Sequence, residues 1–362
     1  MKIAFLSTFY PYRGGIAQFN GALFRALEKE HEVKAFNFSL QYPKMLFPGK
    51  TQYVAPEDHA DKIPTERTLN AVNPFSYHQT FKAIKEYAPD VLIIGYWMPF
   101  MGPPLGYVAG KMQEYTRVIS IVHNAIPHEQ SFLDKRLSNY FFKRNTECIA
   151  LSNAVKNDIQ RSYPSVQTKV LLHPVYEHFG EAVSRIEASE KFELSADKKY
   201  LLFFGLIRDY KGLDNLLQAL PALDENVHLI VAGEVYGSFE KYQKIIDENN
   251  IQDRVHLFLN YIPDEMVSFY FAMASAVILP YKSGTQSGII AIAQHFNTPV
   301  VATDVGGLSE FIQNESDGLI VQADNQAALI GGIQKVLAAT PNKDINQEKA
   351  YSWEDFAKEI LD

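Results

Sequence analysis

Residues 200–219 read YLLFFGLIRDYKGLDNLLQA. The apolar run Tyr200–Gly205 is unbroken by any charge, then passes through a short cationic turn into a helical pattern over Gly212–Ala219. A continuous run of this length reads as a strand buried on both faces, which is how the strands of a parallel sheet lie beneath their helices. The same unit recurs along the chain. In the first half the runs are Lys2–Leu6, Val33–Phe36, Val91–Gly95, Arg117–His123, Cys148–Leu151 and Lys169–Leu172. In the second half they are Tyr200–Gly205, Val227–Gly233, Val255–Leu259, Ala276–Leu279, Pro299–Ala302 and Gly318–Val321. Helical patterns lie between them, among them Ile16–Lys29 with Ile16, Phe19, Leu23 and Leu27 at steps of three and four. The expected class is α/β, with two Rossmann-like doubly wound domains.

Length supports two domains, because single cores rarely grow beyond roughly 250–300 residues and the chain has 362. The expected division is an N-terminal Rossmann-like domain over 1–178, a linker over 179–198, a C-terminal domain over 199–350, and a helix over 351–362 that packs back on the first domain. The linker belongs to a polar stretch, Glu177–Lys199, that lacks a strand pattern. A second irregular stretch, Gln41–Asn73 with Pro43, Pro48, Pro56 and Pro64, reads as a functional loop or mobile insertion. The formal net charge of −8 argues against a dedicated nucleic-acid binder. It also conceals a split, with +5 over residues 1–180 and −13 over 181–362. The single cysteine, Cys148, excludes an internal disulfide and sits in an apolar run, as a buried structural thiol does. The N-terminal hydrophobic stretch is too short for a signal peptide, and no run approaches the ~18 apolar residues of a membrane span. A cytoplasmic protein is expected, touching a membrane at most from that side.

In doubly wound sheets, ligands sit beyond the carboxyl ends of the strands, where helix N-termini offer unpaired amides. Four junctions there attract attention. Gly14 and Gly15, in STFYPYRGGIA, would let backbone approach a ligand, although a Gly-Gly pair also serves a simple turn. Arg208 and Lys211 flank a turn into a helix start, where cations oppose the dipole, and together they would make an anion site. Ser287 and Gly288, in PYKSGTQSGIIAI, would present helix amides to a phosphate. The fourth junction is TDVGGL, Thr303–Leu308. Three such junctions in one domain, one of them cationic, suggest a diphosphate-bearing ligand. In the other domain His123 closes a strand at its carboxyl end, with His128 and Glu129 following. The chain has no Asp-x-Asp, His-Glu-x-x-His, Cys-x-x-Cys, Gly-x-Ser-x-Gly, Walker loop or dinucleotide fingerprint, so neither a metal site nor an NAD site is expected.

Together these residues resemble glycosyltransferase family 4, the group 1 retaining glycosyltransferases of GT-B fold, whose two Rossmann-like domains face a central cleft. The resemblance runs over nearly the whole chain and is strongest from Leu202 to Phe311, in FFGLIRDYKGLDNLLQA, LNYIPDEMVSFYFAMASAVILPY and NTPVVATDVGGLSEFI. It implies a donor-binding C-terminal domain and an acceptor-binding N-terminal one. Gly14, Gly15, Arg208 and Lys211 would meet the donor diphosphate, His123 the donor sugar, and Ile262 the base through its backbone. Ser287 and Gly288 would bind the phosphates. One departure stands out: the Glu-x7-Glu motif of the family falls on Gly284 and Ile292, so both carboxylates are missing. Thr285 or Gln286 would then serve the sugar, and Glu234 the ribose.

The implied activity is metal-independent hexosyl transfer from a nucleotide-diphosphate sugar to a hydroxyl of a glycan or glycolipid acceptor, in cell-surface polysaccharide synthesis. No cofactor beyond that co-substrate is expected. Rival readings are a nucleotide-sugar epimerase, a sugar phosphorylase, and a GT-B protein that binds sugar nucleotides without turnover. The stretch Ser131–Asn145 interleaves Lys135, Arg136, Lys143 and Arg144 with aromatic residues. It reads either as an ordinary amphipathic helix or as a surface for an anionic membrane.

Overall fold

The computed structural model describes every residue except 45, 46, 48, 56, 57, 59, 127–132, 177, 178, 313 and 340–350. The chain divides into two compact units, residues 1–174 with 351–362, and residues 175–350.

The first unit is built on a seven-stranded parallel sheet of β1 (Lys2–Leu6), β2 (Glu32–Leu40), β3 (Thr65–Asn70), β4 (Val91–Tyr96), β5 (Arg117–Val122), β6 (Glu147–Ala150) and β7 (Gln167–Val170). Its order is β3-β2-β1-β4-β5-β6-β7. Its helices are α1 (Gly15–Leu27), α2 (Pro74–Tyr87), α3 (Gly102–Met112), α4 (Asp134–Phe142) and α5 (Asn153–Ser162). The second unit opens with helix α6 (Arg185–Phe192). It then carries a six-stranded parallel sheet of β8 (Lys199–Phe204), β9 (Val227–Ala232), β10 (Val255–Phe258), β11 (Ala274–Leu279), β12 (Val300–Thr303) and β13 (Gly318–Val321). The order here is β10-β9-β8-β11-β12-β13. Helices α7 (Leu213–Ala219), α8 (Glu240–Glu248), α9 (Asp264–Met273) and α10 (Gly288–His295) connect its strands, α11 (Gln326–Ala338) follows β13, and α12 (Trp353–Leu361) lies within the first unit.

The opening run shows why this architecture forms. Leu202 of β8 pairs with Ile230 of β9 on one side and Val277 of β11 on the other, and Leu201, Leu202 and Phe203 are all buried. With helices over both faces, each of these side chains contributes about 2–3 kcal/mol by leaving water. Each sheet reverses its winding once, between β1 and β4 and between β8 and β11, so the carboxyl ends of those strands flank the crevice expected to take a ligand.

Two segments depart from the sequence reading. Residues 65–70 lie inside the stretch read as irregular, yet they form β3, which pairs along one edge with β2. An edge strand needs only partial burial, so TERTLN carries no continuous apolar run. Inside the stretch read as a linker, Ser184 caps α6 through the Glu187 amide, and Arg185 donates to the Met273, Ala196 and Lys198 carbonyls. In α4, Phe141 and Phe142 point into the core, stacked on Tyr96 at 4.2 Å and on Tyr163 at 4.4 Å. Lys135, Arg136 and Lys143 remain exposed beside Leu133, while residues 131 and 132 lie outside the described set. Cys148 is fully buried, and burial pushes its thiol pKa up. No helix among the described residues is long and apolar enough to cross a membrane.

Candidate functional site

In the first unit the loop after β1 is tied down by amide side chains from neighbouring elements. The Asn20 amide donates to Ser7 Oγ at 2.9 Å and to the Thr8 carbonyl at 2.8 Å. The Asn37 amide donates to the Phe9 and Tyr10 carbonyls at 3.1 and 2.9 Å. The loop then reaches Gly14, which caps α1 at φ 109°, a conformation that excludes other residues. A Cβ at Gly14 or Gly15 would meet nothing within 4 Å, so a ligand has room to approach this backbone.

One turn further along α1, Phe19 packs edge-on against the ring of His123, 4.9 Å away at the carboxyl end of β5. His123 is 4% exposed, and its amide donates to the Tyr96 carbonyl at 2.9 Å. Burial and the nearby His173 push its pKa down to about 3, so the imidazole is neutral at physiological pH. His123 thus packs on Phe19 of α1, the helix that Gly14 caps and Gly15 begins. His128 and Glu129 lie outside the described residues. The sequence reading did not single out His173, whose ring also touches Phe19, at 5.1 Å.

In the second unit the loops after β8, β9 and β11 meet. Gly212 adopts φ 71°, and a Cβ there would overlap the Pro280 carbonyl, so the turn after β8 presses directly on the end of β11. The Lys282 amide donates to the Tyr210 carbonyl at 2.7 Å, and Ile207 pairs with Val235 after β9. Arg208 lies near the rings of Tyr210 and Tyr236, at 5.7 and 5.9 Å from their centroids. The Lys211 ammonium sits 5.4 Å from the centre of the Tyr281 ring and has no carboxylate partner among the described residues. Burial holds its pKa below the ordinary lysine value, with Arg208 pushing the same way.

The acids of this junction are occupied by other cations. Lys282 pairs with Asp214 at 2.6 Å and with Asp209 at 3.8 Å, and Lys241 of α8 also pairs with Asp209. Neither lysine was singled out from the sequence, because these pairs depend on loop placement. Ser287 caps α10 without using its hydroxyl, which instead meets the Tyr281 hydroxyl at 3.2 Å. Thr285 is buried, Gln286 follows it, and Gly288 begins the helix, packed beside Tyr176. Glu234 is buried at the carboxyl end of β9, and Ile262 lies in the loop after β10, beyond β9 from β8. Arg208, Lys211, Glu234, Ile262 and Thr285–Gly288 therefore all belong to the carboxyl edge of one sheet.

Two parallel-sheet α/β units of this kind make up the fold called GT-B. Residues 184–353 match the family described as "Glycosyl transferases group 1". The chain is 25% identical to an uncharacterised glycosyltransferase, MJ1178, of Methanocaldococcus jannaschii, over 99% of this chain and 94% of that one. It is 29% identical to a second from the same organism, MJ1607, over 46% of this chain and only 44% of the relative. Among solved structures, Anabaena Alr3699/HepE in complex with UDP-glucose superposes with a TM-score of 0.72 at 18% identity, over 99% of this chain and 94% of that one. The last likeness is one of fold.

Proposed function

We propose that this chain transfers a sugar, with retention, from a nucleotide-diphosphate sugar to a hydroxyl of a glycan or glycolipid acceptor in cell-surface polysaccharide synthesis. The observation that carries the reading is Lys211, a half-buried ammonium without a carboxylate partner among the described residues, beside Arg208 at the switch point of the second sheet. An anion fits that place. A transferable sugar attached to it makes the diphosphate a leaving group, whose developing charge Arg208, Lys211 and the α10 amides would stabilise. In a retaining transfer the acceptor attacks the face that the phosphate leaves, and the departing oxygen takes the acceptor's proton. No protein nucleophile is needed, which suits Gly284. His123, neutral and buried, would contact the donor sugar; Gly14 and Gly15 would approach the diphosphate. Ile262 would hold the base, Glu234 the ribose, and Thr285 or Gln286 the sugar hydroxyls. The nucleotide sugar is the co-substrate, and the reading calls for no further cofactor or metal.

The test combines a thermal-shift screen of nucleoside diphosphates and their sugars with turnover of any donor that binds. Replacing Arg208 and Lys211 by Ala should lower turnover about 10²-fold or more, roughly 3 kcal/mol. Near-normal turnover in that variant would overturn the site assignment. Donor binding without turnover across an acceptor panel would favour a binding protein instead, the reading that Gly284 and Ile292 motivate. We also propose a cytoplasmic protein whose exposed Lys135, Arg136 and Lys143 meet an anionic membrane surface. Flotation with anionic liposomes at low salt checks this, and absence of binding there removes it.

A further inference from the structure

Tyr281 touches both halves of the proposed diphosphate cradle. Its ring, 3% exposed, faces the Lys211 ammonium that follows β8. Its hydroxyl lies 3.2 Å from Ser287 Oγ at the start of α10. The residue is itself held: Thr303 Oγ1 donates to the Tyr281 carbonyl at 2.6 Å, and the Tyr210 ring packs edge-on at 6.3 Å. Burial pushes the phenol pKa up to about 12, so the hydroxyl stays protonated across the working pH range.

Ser287 gives this contact its meaning. A serine at a helix N-cap ordinarily turns its oxygen back to accept from an amide of the first turn, satisfying one of the orphan donors. Ser287 makes no such bond, although its backbone is extended as a cap requires. The Ile290 amide reaches only the Ser287 carbonyl, at 3.1 Å, and the Gly288 and Ile289 amides donate to nothing among the described residues. The serine hydroxyl is engaged outward, on Tyr281, and the helix start is left uncapped by its own side chain.

We infer that Tyr281 is a positioning residue for the donor diphosphate, keeping Ser287 from capping α10 while its ring supports Lys211, so that amides and ammonium act on one anion. The inference rests on the donor reading above. Removing the phenol hydroxyl frees Ser287 to rotate back onto its own helix, where it competes with the ligand for the first-turn amides. Removing the ring as well also takes away the surface that Lys211 lies against.

The experiment measures affinity for a panel of unsugared nucleoside diphosphates (UDP, GDP, ADP and TDP) by calorimetry, on the full chain. Tyr281→Phe should weaken the best binder about three- to tenfold, and Tyr281→Leu more than Tyr281→Phe. The deciding arm is the double variant: on a Ser287→Ala background, the further Tyr281→Phe change should cost nothing, because no hydroxyl remains to compete. A purely structural tyrosine would lose the same affinity in both backgrounds, and that result overturns the inference. With any donor that turns over, Tyr281→Phe should raise KM more than it lowers kcat. Should Arg208→Ala/Lys211→Ala bind as wild type does while the cycle still couples Tyr281 to Ser287, the donor site is misassigned but the capping role stands. Binding of no nucleoside diphosphate by the wild-type chain overturns both.

Discussion

Replacing Lys211 by Met should raise stability and abolish tight diphosphate binding in one step. In the free protein the ammonium rests near the Tyr281 ring, with Arg208 close enough to repel it, while Asp209 and Asp214 pair with Lys241 and Lys282. A charge partly withdrawn from water without a carboxylate is a cost of folding, and Met keeps the apolar stem while deleting that cost. The expected gain is about 1 kcal/mol. A bound diphosphate turns the same ammonium into a charge-assisted donor, so its loss should cost about 3 kcal/mol of affinity, roughly 10²-fold.

The pH dependence supplies a second check. Because the folded pKa lies below the ordinary value of 10.5, the unfolded chain binds more protons between the two values, and wild-type stability rises with pH through that window. The Met variant lacks this contribution. Urea unfolding at pH 7.5 and 9.5 without nucleotide, with calorimetry at pH 7.5, measures all three effects. A Met variant that is more than about 1 kcal/mol less stable, with nucleotide affinity unchanged, would make Lys211 a structural residue and refute the reasoning.

The neutral, buried His123 should make stability fall as pH drops from about 6.5 toward 3, by at most about 1.4 kcal/mol per unit, because only the unfolded chain takes up that proton readily. His123→Gln should flatten urea midpoints measured at pH 7, 6 and 5, and parallel slopes would exclude a neutral imidazole. Trp353→Ala empties a site packed against Phe19 at 5.1 Å and His173 at 5.7 Å, and should cost the first unit about 3–5 kcal/mol. Hydrogen exchange should then quicken in α1 and α12 but not in β8–β13; a uniform rise would contradict such local anchoring. Gly212→Ala drives a methyl into the Pro280 carbonyl from a left-handed backbone and should cost about 2–4 kcal/mol. An unchanged melting temperature would show that the two loops need not approach so closely.

What could be read from the sequence is what burial writes into it. Strands covered on both faces must be apolar throughout, so Tyr200–Phe204 and Val91–Gly95 announce themselves, and their carboxyl ends locate the loops worth searching. β3 was invisible because an edge strand is half solvated and TERTLN follows no buried pattern. Helix α6 was hidden by a polar composition, since its docking depends on Arg185 reaching backbone carbonyls rather than on an apolar stripe. At the site, Arg208 and Lys211 stood out because cations at a helix start are unusual. Tyr281 sits in the same loop as Ser287 and is not singled out by the sequence, because its contacts depend on distances to residues on two different loops.

Those loops also explain how a strongly acidic half of the chain can present a cationic edge. By charge count, Asp209 and Asp214 would cancel Arg208 and Lys211, their neighbours in sequence. The fold instead assigns them to Lys241 and Lys282, which arrive from α8 and from the loop after β11. The loop that supplies Lys282 also carries Gly284, where the family resemblance calls for a carboxylate. The Gly306 backbone packs so closely on the Gly284 carbonyl that a Cβ at Gly306 would overlap it, and the Gly307 amide donates to the Thr285 carbonyl at 3.1 Å. The second expected carboxylate is Ile292, buried on α10. Neither position adds negative charge beside the cradle, and the loop from Pro280 to Ser287 contains no acid at all. An edge arranged this way suits the diphosphate proposed above better than the groups that carboxylates usually grip. Donor discrimination would then rest on Glu234 and on the neutral Thr285 and Gln286, and substitutions there should change which nucleotide sugar is accepted before they change how tightly a bare diphosphate is held.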